Sequence, residues 1–482
     1  MITVLGLVLC SLLLLPGWAQ EPGPLHPGLQ NGIALAQQGR LEEAESQFDS
    51  VPPSDPGYWQ AQYFSAVAKA QLKKADAARA ILARIVEKFP DNRDAHYLLG
   101  LLSEDKRDLK QAEASFRKVT ILTPEDPRAW VALGRVLQAE GEAEEALKAL
   151  QKGEKLGPDD PSVRLLLGDQ HYLMGHYKEA LDYLLPAWQA DSSDAALASE
   201  VAGCYVALKD STNLDALMQS LPKDILPDVE MTVGLAYIRT GDESLGFTYM
   251  VQGAAARPDD FKTQRVLADA MFRSMLFVDA QRVYQDCLRL KPDDAETTFL
   301  LGRSMYEDRK IDEARGLYQK VVRLRPDFAA GWFHLGICNR ALERTDEAQE
   351  DFLKALALEP RNPETSYNLG MLSLKNGETE KAGDYFRNAL ALAPEHAPAH
   401  YELGRVLISQ NKLEDGLAQI DLAIKANPSH TQAHYQRGMI LKRLGRAEES
   451  KQEFDIFQKL EKEDREKRKV IDRKVLAPTT RP

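Results

Sequence analysis

WFHLGICNRALERTDEAQEDFLKALALEP, Trp332 to Pro360, decides how this chain is read. His334 and Cys338 stand four residues apart in it. On a helix that spacing puts both side chains on one face. An imidazole and a thiol on one face can bind a metal or form a nucleophile pair. The stretch is therefore either a piece of chemistry or a structural brick, and the surrounding sequence favours the brick.

Stepping outward from Gly336 by 34 residues meets a small residue each time. The rungs are Gly32, Ala66, Gly100, Gly134, Gly168, Ala202, Gly234, Ala268, Gly302, Gly336, Gly370, Gly404 and Gly438, with one step of 32 before Gly234. Twelve residues further on runs an alanine ladder, which includes Ala78, Ala112, Ala146, Ala280, Ala314, Ala348 and Ala382. A third ladder of proline ends most units, as at Pro90, Pro124, Pro292, Pro326, Pro360 and Pro394. Three ladders in register are the signature of a repeat array.

The residue types say what each unit is. Small rungs let two antiparallel helices approach, and Leu335, Phe352 and Leu356 fill the seam between them. Proline lacks an N–H and restrains the residue before it, so it ends the second helix. The polar residues that follow, as in Pro292-Asp293-Asp294, are placed to cap the next helix. One such hairpin cannot bury its apolar face alone, so neighbours must stack.

A small residue at position 8, alanine at 20, an aromatic or leucine at 24 and proline at 32 look like the tetratricopeptide repeat. Trp130 and Trp332 at position 4, with Leu133 and Leu335 at position 7, add to the likeness. The resemblance implies an all-α, right-handed superhelical solenoid of about thirteen helix-turn-helix units filling residues 25–464. It implies a generic binding scaffold, with no cofactor. Positions 2, 5, 9, 12 and 13 of each first helix would line its concave groove.

On that register the C-terminal units carry aromatic residues at position 5: Phe299, Phe333, Tyr367, Tyr401 and Tyr435. Around them fall Arg265, Arg273, Arg303, Tyr306, Arg340 and Arg405. Aromatics and arginine suit an extended, acidic peptide or sugar rings. The expected partner is thus a protein or peptide, with polysaccharide or cell-wall polymer as the alternative. The Lys and Asn pairing at positions 5 and 9 that clamps a C-terminal carboxylate in some family members is absent. His396 with His400, and His430 with His434, are i,i+4 pairs one repeat apart. They fall in turns and at packing positions with no recurrent third ligand, so no metal is expected.

Composition bounds the rest. Hydrophobic residues make up 44% of the 482 and the net charge is −12. The first figure is enough to fold, and the second argues against nucleic acid as a partner. The repeats leave no room for a catalytic domain, and no phosphate loop, HExxH or GxSxG occurs, so no enzyme is expected. Residues 1–19 read as a signal peptide. An apolar run spans Ile2–Leu15, and Gly17 and Ala19 suit cleavage after Ala19. No Lys or Arg precedes the run, which leaves an uncleaved anchor as the other reading. Export would place the chain in the periplasm or outside the cell, with no transmembrane segment after the cut. The remaining cysteines, Cys204, Cys287 and Cys338, are three, lie in alternate units and signal no disulfide framework.

Departures from the pattern divide the chain. Residues 20–24 form a short linker. The sixth unit is two residues short, has no alanine rung and contains LKDSTNLDALMQSLPKDILPD. It reads either as a drifted repeat or as a hinge between arrays at 25–226 and 227–464. Residues 465–482 read as a basic, disordered tail.

Overall fold

The computed structural model describes residues 26–158 and 160–475, with side chains through residue 466. The leader expected at 1–19, the linker expected at 20–24 and the last residues, 476–482, lie outside the described residues. All 26 described elements are α-helices, and no strand occurs among the described residues.

The tenth unit shows how the sequence makes the hairpin. Its helices are Ala329–Ala341 and Thr345–Leu358. Gly336 faces the Phe352 ring so closely that an added Cβ would lie 2.9 Å from it. Gly370 repeats the arrangement against Phe386 at 2.5 Å. The large residue at position 24 is fully buried in both units. Burial of such a ring stabilises by about 2–3 kcal/mol, so the glycine rung exists to admit the ring. The second helix ends at Leu358, and Glu359 before Pro360 is extended at φ −130° and ψ 80°. That is the conformation a following proline imposes. The fifth unit has Ser192 in place of proline, yet Asp191 holds the same conformation, at φ −139° and ψ 93°.

The capping expectation holds. Asn92, Asp126, Asp160, Asp194, Asp260, Asp294 and Asn362 each accept a backbone N–H from the first turn of the next helix. The turn inside each hairpin follows a further rule. One residue per unit, at position 15, is left-handed, and the thirteen include Gly141, Gly377, Met275, Arg309, Glu343 and Asn411. Six are glycine and seven are not.

The chain forms two compact units, which part between Ala256 and Arg257. In the first, the sixth repeat pairs Ala195–Leu208 with a short helix, Ser211–Ser220. Leu214, Leu217, Leu221 and Ile225 share one core with Trp188 before them and Val229 after them. The short repeat is therefore packed through, and the division of the chain falls one repeat beyond the 226/227 boundary suggested by its irregular sequence.

In the second unit, small cores such as Phe299, Tyr318, Val321 and Leu335 each join neighbouring repeats. Its last helix, Ala447–Val475, is 29 residues long where the other second helices of this unit have 14. This helix moves the end of regular structure past the 464/465 boundary, so residues 465–475 are helical rather than tail. No described helix is long and apolar enough to cross a membrane.

Candidate functional site

The pair that opened the sequence is inert. The His334 ring is stacked on Tyr318 at 5.4 Å and meets Phe299 edge-on at 5.1 Å. Burial, with Arg303 nearby, lowers its pKa to about 4. Cys338 is fully buried, and burial pushes its thiol up to about 12. Near neutral pH neither an imidazolium nor a thiolate forms, so the nucleophile pair has no reactive partner. Cys204, Cys287 and Cys338 are all buried and free.

The two histidine pairs also have structural work. His396 and His430 are N-caps, each accepting a backbone N–H at its Nδ1. His400 and His434 each place Nε2 against the carbonyl of the proline six residues earlier, at 2.9 and 3.0 Å. Trp130 and Trp332 donate to Pro124 and Pro326 in the same way, and His96 faces the Pro90 carbonyl. In these five repeats position 4 therefore carries a ring nitrogen that ties a first helix to the exit of the helix before it. No group of three metal-ligating side chains occurs among the described residues.

The position 5 aromatics lie deeper than a free binding surface would. Each packs on the ring at position 24 of its own unit in four cases: Phe299 on Tyr318, Phe333 on Phe352, Tyr367 on Phe386 and Tyr435 on Phe454. Several also meet a ring from the following turn. Tyr367 faces His396 at 5.1 Å, and Tyr401 faces His430 at 4.7 Å. Phe299 is buried, Phe333, Tyr367 and Tyr401 are half-buried, and Tyr435 is 41% exposed. Tyr306 is half-buried against the core around Tyr318.

The arginines divide into two groups. Arg265 is held in an internal network. Its guanidinium lies 2.9 Å from Asp269, 3.5 Å from Asp294 and 3.3 Å from Glu296, while Tyr284 donates to Asp269. Arg303 lies over Phe272, 5.0 Å from the ring centre, and Arg405 pairs with Glu402 at 2.9 Å. Arg273 and Arg340 are exposed, and their guanidinium groups have no hydrogen-bond or ion-pair partner among the described residues. These two are the open cations of the predicted set. Apolar residues at position 9, Ile337 on the helix of Arg340 and Met371 and Met439 on first helices of later repeats, were not singled out from sequence. The signal was available in the register, but it is weak because Arg303 and Arg405 hold the same position in other units.

The first compact unit has a different polar feature. Asp169, on Pro161–Leu173, is hydrogen-bonded to Glu200, on Ala195–Leu208. Burial raises both carboxyl groups, Glu200 to about 8, with Asp194 adding repulsion. One proton is therefore shared between them at neutral pH.

Models of the tetratricopeptide repeat match residues 35–102, 105–169 and 373–440, then 265–327, 299–348 and 339–397, then 431–461. Among solved structures, MamA is 23% identical over 34% of this chain and 97% of its own, with a TM-score of 0.32. MamA from Desulfovibrio magneticus RS-1, from residue 41 to its end, is 22% identical over 35% and 96%, at 0.33. YrrB, described as a TPR protein with an unusual peptide-binding site, is 21% identical over 38% and 95%, at 0.34. No curated protein matches the chain in sequence.

Proposed function

Because the chain belongs to the tetratricopeptide-repeat family, we propose that it is a non-enzymatic scaffold. It binds an extended protein segment of mixed apolar and acidic character along the first helices of its C-terminal repeats. One observation carries this reading: Arg273 and Arg340 are exposed cations with no carboxylate of their own, at positions 13 and 12, which the family resemblance assigns to the groove. A carboxylate on a partner would supply the missing half of each pair. The half-buried Ile337 and Met371 and the exposed Met439 and Tyr435 offer apolar contact on the same row of helices.

Polysaccharide binding is the weaker reading. Sugar rings need open aromatic faces, and those of Tyr367 and Tyr401 meet His396 and His430.

The test is selection of a random peptide library on the full chain and on a variant carrying Arg273→Glu and Arg340→Glu. Both residues are exposed, so the fold should be kept. The wild type should enrich peptides alternating acidic and apolar residues. The variant should bind them about tenfold or more weakly, the scale of a lost charge-assisted bond. Equal enrichment by both proteins would remove the reading.

The leader expected at residues 1–19 supports a place in the cell envelope or secretory space, where the partner would belong to an envelope assembly. The intact mass of the chain recovered from its own cell should correspond to a start at Gln20. A mass that includes Met1–Ala19 would favour the anchor.

A further inference from the structure

The proline ladder stops before the last repeat. Position 32 is Pro292, Pro326, Pro360, Pro394 and Pro428 in the five repeats before it, and Lys462 in the thirteenth. Without proline nothing ends the second helix there. It runs from Ala447 to Val475, 29 residues where those five have 14, so 15 residues extend past the ordinary end at Leu460. No later repeat follows among the described residues to cover this extension.

The array does not need it. Lys462 to Glu466 are all exposed, and Glu461 and Arg465 pair along the helix at 3.1 Å. One such pair adds little, and a helical stretch of this length is marginal in water on its own.

The order of charges indicates what supports it. Residues 461–466 hold four acids and two bases, and residues 467–474 hold five bases and one acid. A helix that is acidic and then basic complements a second copy of itself only when the two run antiparallel. The apolar residues agree. Spacing of three and four places Leu460, Asp464, Lys467 and Ile471 on one face. Leu460 and Ile471 are equidistant from the point between Arg465 and Glu466, and so are Asp464 and Lys467. A two-fold axis at that point sets Leu460 against Ile471 of a second copy, and Asp464 against its Lys467, each twice over. On the flank of this seam, Glu461 falls beside Arg468 of the second copy. A parallel pair would instead oppose Asp464 to Asp464 and Lys467 to Lys467. Phe457, one step nearer the array, is already taken by Tyr435 at 5.3 Å, so the seam begins at Leu460.

We propose that the helix beyond Leu460 pairs antiparallel with the same helix of a second copy, joining two arrays at their C-terminal ends. The contact is short, with two apolar layers and two ionic ones. It should be weak, with a dissociation constant on the order of 10 µM or weaker, and should weaken further as salt rises. The pair presents two sets of C-terminal repeats, which raises avidity for a partner that carries more than one binding segment.

Sedimentation of the full chain from about 1 to 200 µM tests this, a range that brackets the expected constant. Wild type should pass from monomer toward dimer. Asp464→Lys and Lys467→Asp should each raise the dissociation constant about tenfold or more, because each sets like charges against one another. An equimolar mixture of these two variants should dimerise about as tightly as wild type, since every lysine of the seam then faces an aspartate again. Mixing would not restore a merely structural role. A mixture tighter than wild type would mean parallel pairing and overturns the proposed geometry. A chain that stays monomeric overturns the proposal, whether or not it binds an added anionic polymer through its basic end. So do single variants that associate as tightly as wild type, which would place the contact elsewhere, the leader expected at residues 1–19 included.

Discussion

Carboxylates at the joints between repeats are treated in opposite ways in the two compact units. In the first, Asp169 and Glu200 face each other and share a proton. In the second, Arg265 is spread over Asp269, Asp294 and Glu296. Glu453 likewise meets both Arg437 and His434, at 2.6 and 2.7 Å. The first arrangement avoids charge, and the second neutralises it. The contrast shows that one backbone plan leaves each joint free to solve its own electrostatics, since a solenoid repeat answers only to its neighbours.

The largest break in that contrast comes from removing a cation. Arg265→Ala leaves Asp269 and Asp294 unneutralised in a half-buried site, with Glu296 exposed beside them, and should cost about 1–3 kcal/mol, read as a lower calorimetric transition. A loss under about 1 kcal/mol would mean that solvent already screens the network.

Next in size is the shared proton. Glu200 holds its proton up to about pH 8 in the fold but loses it near pH 4.3 when unfolded. The folded chain therefore binds more protons through that window, and its stability falls as pH rises from the ordinary carboxyl range to about 8. Glu200→Gln should flatten this dependence in thermal melts across the window, and an unchanged slope would deny the pair its role.

Asp351 is the exception inside the second unit. It is buried, accepts from Asn339 at 2.7 Å, and is raised to about 6 by burial. Its protonated form is favoured in the fold, so stability is full below the unfolded carboxyl pKa and lost as pH rises through about 6. Asp351→Asn should stabilise at neutral pH, on the order of 1–3 kcal/mol, and leave acid stability unchanged.

The smallest effect sharpens the repeat rule itself. Glu343 is left-handed at φ +59° where six other turns have glycine. Glu343→Gly should gain about 1 kcal/mol, while Gly141→Ala should lose a similar amount. Equal and opposite shifts in denaturant midpoint would confirm that position 15 is a conformational site.

The fold was legible because its determinants repeat. Gly336, Ala348 and Pro360 recur at fixed offsets, and each offset maps to one helix contact. Position 15 escaped because its requirement is a backbone angle, which seven non-glycine residues of five types meet at a cost. The surroundings of the expected groove residues were legible only in part. Position 5 residues lie on the first helices, and their burial depends on rings 19 and 29 residues ahead, such as Phe386 and His396 for Tyr367. Those partners come from another helix and another repeat, outside any single amphipathic pattern. Arg265 was hidden for the same reason, since Asp294 and Glu296 reach it from the next repeat.

The ring-to-proline ties give the array a mechanical grain. They fasten the joints entered at His96, Trp130, Trp332, His400 and His434. Arg164, Ala198, Glu230 and Ser366 occupy the same position in other repeats, where no such ring nitrogen exists. Each tie adds about 1 kcal/mol of resistance at one joint. Stretched from its ends, the protein would lengthen unevenly, yielding first at untied joints such as those of repeats five to seven and eleven, and holding longest where tied joints adjoin, in repeats three and four and in the last two. In that sense the sequence encodes a spring of graded stiffness as well as a binding surface.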